Sequence, residues 1–188
     1  MAIHHVALAT RDLAATHRFY TELMGFELVK TVIGPTEHEG GWARHVFYDT
    51  GGGGKGDGKG DGMIAFWDLH DEELGPIRSA ISADLGLPQW VNHLAFDCSP
   101  DQLDGHRDRW LDGGVDVVEI DHEFCRSIYT DDPNGILVEW CANTRELTAD
   151  DRADALAKVL ATDPPPFDPP PDIRFHVAAD RVAAATPG

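Results

Sequence analysis

Runs of apolar residues at strand or helix spacing, separated by turn residues, divide the chain into two halves of the same design. In the first half the run Ile3-His4-His5-Val6-Ala7-Leu8 predicts a strand at 3–9. A helix follows from about Leu13 to Met24, started by Asp12, stopped by Gly25 and carrying Phe19, Tyr20 and Leu23 at helical spacing. Strands are then predicted at 26–33, 42–49 and 63–68. The second half reads as strand 91–97, a helix from about Pro100 to Asp112, and strands 115–121, 124–131 and 136–142. The turn Asp131-Asp132-Pro133-Asn134-Gly135 joins the last two. Each half has the order βαβββ. His5 and His93 occupy matching strand positions 93 − 5 = 88 residues apart, and the same offset places Leu23 on Leu111, Gly25 on Gly113 and Val29 on Val117. The chain is therefore an internal repeat, two copies of one module.

The segments outside the modules have a different character. Residues 69–89 connect the two halves and hold a short helical stretch around Leu74–Leu85. The glycine-rich run Gly51–Gly62 has nothing to bury and reads as a flexible hairpin extension. No GK[ST] sequence and no helix follows it, so a phosphate-cradling loop is not indicated. Beyond Asn143 a helix is expected at 148–161, with Leu156 and Leu160 four apart, after which Pro164–Pro166 and Pro169–Pro171 block regular structure. That tail is expected on the surface or across a partner subunit. The organisation predicted is one domain over 1–143 (module one 1–68, linker 69–89, module two 90–143), followed by a helix and proline-rich tail at 144–188.

Composition narrows the function classes. Of 188 residues, 42% are hydrophobic, enough for a packed interior, and no apolar run approaches the roughly 20 residues of a membrane span. With 15 basic against 33 acidic residues the net charge is −18, which works against nucleic acid or an anionic membrane as partner. The N-terminus lacks the basic and apolar regions of a secretory signal, which leads to the expectation of a cytoplasmic protein. Cys98, Cys125 and Cys141 form an odd set without CxxC spacing, so packing is their expected role.

The chemistry-bearing residues sit on the repeated strands. In Ile136-Leu137-Val138-Glu139-Trp140, alternation places Val138 and Trp140 on one side of a strand and Glu139 on the other. A lone strand histidine is more often a core residue than a ligand. Two at equivalent repeat positions, plus a carboxylate that would be costly to bury unpaired, point instead to a three-ligand metal site with positions left open. His4 should point to the opposite face from His5, as a surface or supporting residue.

These residues resemble the vicinal oxygen chelate superfamily, which includes glyoxalases, bleomycin- and fosfomycin-resistance proteins and type I extradiol dioxygenases. The resemblance is carried by the duplicated βαβββ order, His5-Val6-Ala7-Leu8, Asn92-His93-Leu94-Ala95-Phe96 and Asp132-Pro133-Asn134-Gly135-Ile136-Leu137-Val138-Glu139, and spans about residues 3–142. It implies an α+β fold in which the two modules form a half-open, barrel-like mixed sheet around a metal held by His5, His93 and Glu139. Alignment of strand 63–67 on 136–140 places Phe66 at the family's fourth ligand position, where a phenyl ring cannot ligate. Tyr129 stands 139 − 129 = 10 residues before Glu139, the spacing of the extradiol dioxygenases. By that resemblance Tyr129 would hydrogen-bond a metal-bound substrate oxygen. His122, seven residues upstream and nearer than usual, and His45, substituting for a histidine expected near Phe66, would move protons.

The leading expectation is thus an extradiol-dioxygenase-like oxygenase using Fe(II), with Mn(II) or Zn(II) as alternatives. It would act on a catechol-type or other vicinal-oxygen small molecule with O₂ as co-substrate, and it would form a homodimer. The rivals are a glyoxalase- or fosfomycin-resistance-type lyase, isomerase or thiol transferase, and a metal-free binding protein of the bleomycin-resistance type. The three ligands are expected to converge within one chain, because a linker of about 20 residues spans the modules.

Overall fold

The computed structural model describes residues 3–51, 62–161 and 167–179. Module one runs β1 (His5–Thr10), α1 (Leu13–Arg18), β2 (Glu27–Pro35), β3 (Trp42–Asp49) and β4 (Met63–His70). Module two runs β5 (His93–Asp97), α2 (Pro100–Asp112), β6 (Val117–Asp121), β7 (Cys125–Asp131) and β8 (Leu137–Asn143), and is followed by α3 (Ala149–Leu160) and β9 (Asp172–His176). The first sheet has the order β1-β4-β3-β2 and the second β5-β8-β7-β6-β9. In both, the first strand of the module pairs in parallel with the last. The fold is α+β with two open sheets. Among the described residues no helix is long and apolar enough to cross a membrane.

Local chemistry explains the element ends. The Asp12 carboxylate accepts from the Ala15 amide at 2.9 Å and starts α1. Ser99 with Gln102 forms a capping box at α2, and Thr148 with Asp151 forms one at α3. The helix expected over 13–24 changes pitch partway. After Arg18 the turns widen to i→i+5 over Phe19–Leu23, with Met24 N donating to Phe19 O at 3.0 Å. The widening leaves Phe19 and Tyr20 both buried against the core. The linker holds only two single helical turns, at Glu72–Leu74 and Ala83–Leu85, in place of the helix expected over 74–85.

One core joins the modules. Phe26 meets Phe96 at 5.0 Å and Trp140 at 5.8 Å, while Tyr20 lies on Phe66 at 4.7 Å. Gly113 abuts the Leu23 side chain with no room for a Cβ. The strongest polar tie is the β7–β8 turn of module two, which enters the β1–α1 corner of module one. Asn134, fully buried, accepts from Thr10 Oγ1 at 3.0 Å and donates Nδ2 to Thr16 Oγ1 at 3.0 Å. Asp132 accepts from the amides of Asn134 and Ile136 and from the Tyr20 hydroxyl, at 2.8, 2.9 and 3.1 Å.

The C-terminal segment is largely exposed, as a surface tail would be, but regular structure resumes after the proline runs expected to block it. Residues 172–176 pair antiparallel with β6 and extend module two's sheet past residue 143. The cause is Glu119, only 4% exposed, whose carboxylate meets Arg107 at 3.2 Å, His176 at 3.0 Å, Arg174 at 3.8 Å and Arg126 at 3.9 Å. A buried carboxylate needs such partners, and two of them come from β9. The flexible extension expected at 51–62 lies, over 52–61, outside the described residues.

Two predictions follow from this packing. Asn134→Ala removes three side-chain bonds to module one, with the Thr10 hydroxyl, the Arg11 amide and the Thr16 hydroxyl, at a fully buried position; urea denaturation should show a loss of about 2–4 kcal/mol, and a loss below about 1 kcal/mol would contradict the role given to the turn. His106 stacks on Trp140 at 3.9 Å, and burial, then Arg109, pushes its pKa down from 6.5 to about 4. A depressed folded-state pKa means a contribution present above about pH 6.5 and lost as pH falls toward 4. His106→Phe should therefore flatten the decline of melting temperature across that window, and an unchanged profile would assign the decline elsewhere.

Candidate metal centre

Strand alternation sorts the site residues onto the sheet faces turned away from the shared core. In β4, Ile64 and Phe66 enter the core, so Ala65 and Trp67 take the other face. His5 is registered with Met63, His45 with Trp67 and Phe47 with Ala65, which puts all three on that outer face. In β8, Val138 and Trp140 enter the core and Glu139 faces outward, as its sequence implied. Tyr129 is registered with Glu139 and His93 with Leu137, so both share the outer face of module two.

Module two builds a continuous chain of hydrogen bonds on that face. His93 Nε2 lies 2.9 Å from Glu139 Oε2, the Tyr129 hydroxyl donates to Glu139 Oε1 at 3.0 Å, and His122 Nε2 lies 3.0 Å from the Tyr129 hydroxyl. Because Tyr129 spends its proton on Glu139, His122 Nε2 is assigned as the N–H that donates to the tyrosine oxygen. His93 Nδ1 donates to the Trp90 carbonyl at 2.9 Å. In the neutral ring this fixes the tautomer and leaves the Nε2 lone pair aimed at a carboxylate oxygen. A lone pair facing a carboxylate at that distance is repulsive unless a proton or a cation lies between them. Glu139 is only 5% exposed, covered by these two rings. Burial, with Glu139 adding to it, pushes the Tyr129 phenol well up, so the hydroxyl remains protonated and acts as a donor. His122 also borders a larger cavity formed with α3 and Pro169–Pro171.

Module one contributes a different half. His5 Nδ1 shares a hydrogen bond with His4 Nδ1 at 2.8 Å, which leaves His5 Nε2 available. His4, expected on the opposite face, instead turns its ring edge-on to His5 from just before β1 and supports it. His45 stacks on Trp67 at 3.8 Å, lies 6.2 Å from His5, and has a buried Nε2 without a partner. Burial, then His5, lowers its pKa. His45 is therefore a neighbour of His5 and does not join Tyr129 and His122.

Two expectations need correction. Convergence of His5, His93 and Glu139 within one chain does not occur: among the described residues no three His, Cys, Asp or Glu side chains are grouped so as to hold a metal ion. The cause is topological, since both ligand-bearing faces point away from the core that the modules share. The counterpart of Glu139 in module one is Ala65, paired with Ala7 as Glu139 pairs with Ala95. Phe66, assigned there from strand alignment alone, enters the core in the manner of Trp140. The register with β1 settles this, and strand sequence carries no mark of it. The residues present nonetheless suit a divalent ion: an imidazole nitrogen with its tautomer fixed and a buried carboxylate meet on one face, and a second histidine with a free nitrogen stands on the matching face of the repeat.

Comparison with known proteins follows this geometry. A family model described as the Glyoxalase/Bleomycin resistance protein/Dioxygenase superfamily matches residues 2–140. Among solved structures, the genomically encoded fosfomycin resistance protein FosX from Listeria monocytogenes is 19% identical, with 81% of this chain and 98% of that one covered at a TM-score of 0.52. A mutant of the same protein complexed with Mn(II) and 1S,2S-dihydroxypropylphosphonic acid is 19% identical over 79% of this chain and 94% of that one, TM-score 0.51. A glyoxylase/bleomycin resistance protein/dioxygenase domain from Frankia sp. EAN1pec is 20% identical over 74% and 94%, also at 0.51. These likenesses establish a shared fold. No curated protein matches the sequence significantly.

Proposed function

The chain belongs to the Glyoxalase/Bleomycin resistance protein/Dioxygenase superfamily, and on that premise we propose that it is a metal-dependent enzyme acting on a small molecule through two adjacent oxygens. His93 and Glu139 of one copy and His5 of a second copy would hold a divalent ion, completing a two-histidine, one-carboxylate set with open positions. Bound there, the ion would act as a Lewis acid toward the substrate oxygens. The observation that carries this reading is the bonded row His93–Glu139–Tyr129–His122 on an outward face that lacks its third ligand. The need for a second copy rests on the opposed placement of the two faces. It is further supported by exposed apolar residues on the outer face of module one's sheet, Val32 and Trp67, which share that face with His45.

The chain's own groups have separable tasks. The Trp90 carbonyl orients the His93 ring and keeps its Nε2 free to ligate. The Tyr129 hydroxyl holds Glu139 in place, and on substrate binding the same donor is close enough to the ligand pair to bond a substrate oxygen. His122 holds the Tyr129 oxygen and can return a proton to it from the cavity that it borders. One side of the Glu139 face is apolar, where Leu137 and Val118 stand beside His93 and Tyr129.

For reaction class, we propose addition, elimination or isomerisation with Mn(II) in preference to ring-cleaving oxidation with Fe(II) and O₂. FosX, of the same fold, binds Mn(II) together with a dihydroxypropylphosphonic acid, a molecule with adjacent oxygens, and we extend that ligand class to this chain.

Three outcomes are expected. Mn(II) at 100 times its dissociation constant should stabilise the wild-type chain by about 2.7 kcal/mol in thermal unfolding, and Glu139→Gln should abolish the effect; equal stabilisation of the variant would place the ion elsewhere. An oxygen electrode should register no uptake when the metal-loaded protein meets a panel of catechols, whereas uptake matched to ring cleavage would restore the dioxygenase reading. On a substrate found by screening epoxides and thiol hemiacetals, Tyr129→Phe should keep its metal while turnover falls roughly 10- to 1000-fold, about 1.4–4 kcal/mol. Full retained turnover would reduce Tyr129 to a packing residue.

A further inference from the structure

We propose that the C-terminal strand β9 forms a wall of the substrate site and that Phe175 is a specificity-determining residue, selecting substrates that carry an uncharged apolar arm beside their chelating oxygens. This rests on the metal-centre reading above. Tyr129, Val118 and Phe175 are registered across three neighbouring strands, so Phe175 occupies the same sheet face as Tyr129 and, one strand further, Glu139. Phe175 is 75% exposed, although a phenyl ring on a paired strand ordinarily finds cover. Phe175 borders a cavity of about 380 Å³ that it shares with Val118, Tyr129, Leu137 and Val177. Leu137 is the register partner of His93 and Tyr129 is hydrogen-bonded to Glu139, so two of the lining residues adjoin the ligand pair.

The chemistry of the occupant follows from what the cavity has left to offer. Each polar side chain on its rim is already engaged: Asp131 accepts from Gln89, Asp116 accepts from the Ala178 amide, Thr130 donates to the Asp116 carbonyl, and His176 pairs with Glu119. The remaining surface is aliphatic and aromatic, and the two rim carboxylates oppose an anionic arm. An aryl or branched alkyl group suits such a pocket. The wall is also rigid, because the buried Glu119 carboxylate ties Arg174 and His176 of β9 to Arg107 of α2. β9 lies beyond residues 2–140, which the family model matches, so this wall is a property of the present chain.

The test compares two O,O-chelating probes on the Zn(II)-loaded full-length protein by isothermal titration: acetohydroxamate, with only a methyl group, and benzohydroxamate, with an aryl arm. Phe175→Ala should weaken benzohydroxamate roughly 10-fold, about 1.4 kcal/mol, while acetohydroxamate changes by less than about twofold. Phe175→Leu should fall between. Equal losses for both probes, or none for either, would overturn the proposal while leaving the metal centre intact. A failure of both probes to bind the loaded wild-type protein would overturn the metal-centre reading, and this inference with it. Sedimentation of Phe175→Ala as a monomer, where the wild type is a dimer, would make Phe175 an interface residue and also overturn it.

Discussion

The insertion of the Asp132–Asn134 turn into the β1–α1 corner is the constraint on which the arrangement of the molecule depends. A buried amide and a buried carboxylate each have several hydrogen-bonding positions to fill, and here the partners are Thr10, Thr16 and Tyr20 of the other module. Buried polar groups of this kind specify geometry, because any other docking of the modules would leave them unsatisfied. The turn and the aromatic contacts around Phe26 fix the two sheets with their apolar faces toward one core. Every outward-facing residue is then committed to solvent or to another molecule. The same packing that stabilises the chain separates His5 from His93 and Glu139, so the metal centre proposed above would require a second copy.

The duplicated module has diverged on its outer face and not on its inner one. Inside, Phe66 matches Trp140 and Leu8 matches Phe96, all apolar. Outside, register equates His5 with His93, Ala65 with Glu139, Phe47 with Tyr129 and His45 with Ser127. Module two holds the carboxylate, its hydroxyl donor and the histidine behind it. Module one offers the imidazoles of His5 and His45 on a floor of alanine, phenyl and indole. In the proposed pairing, an apolar half laid against a polar half would supply both the charge that retains an ion and an apolar surface that strengthens its effect on a substrate.

Much of this could be read from the sequence because the relevant signals are local. Strand Trp42–Asp49 and helix Pro100–Asp112 fall at the bounds expected from the spacing of apolar residues. The ten-residue spacing of Tyr129 and Glu139 across a tight turn makes them register partners in the β7–β8 hairpin, so proximity was legible before any tertiary contact. What sequence did not disclose depends on long-range partners. Ala65 acquires its place from pairing with β1. β9 forms because Glu119 needs Arg174 and His176, across a proline-rich stretch that resembles a tail. The outward direction of both ligand faces follows from the docking of whole modules, which no local pattern records. His45 was placed by analogy with a motif, and the register moved it to the other half of the site.

The account's central claim is that one centre is built from His5 of one copy and His93 and Glu139 of another, and mixing two defective variants tests it most directly. His5→Ala and Glu139→Gln are each expected to retain almost no Mn(II) after equilibrium dialysis. Unfolded together and refolded as a mixture, they form heterodimers in which one of the two centres regains all three ligands, so metal content should rise to roughly a quarter of the wild-type value for random pairing. A mixture that binds no more metal than the separate variants would mean that the ligands act within one chain, or do not act together, and would contradict the account.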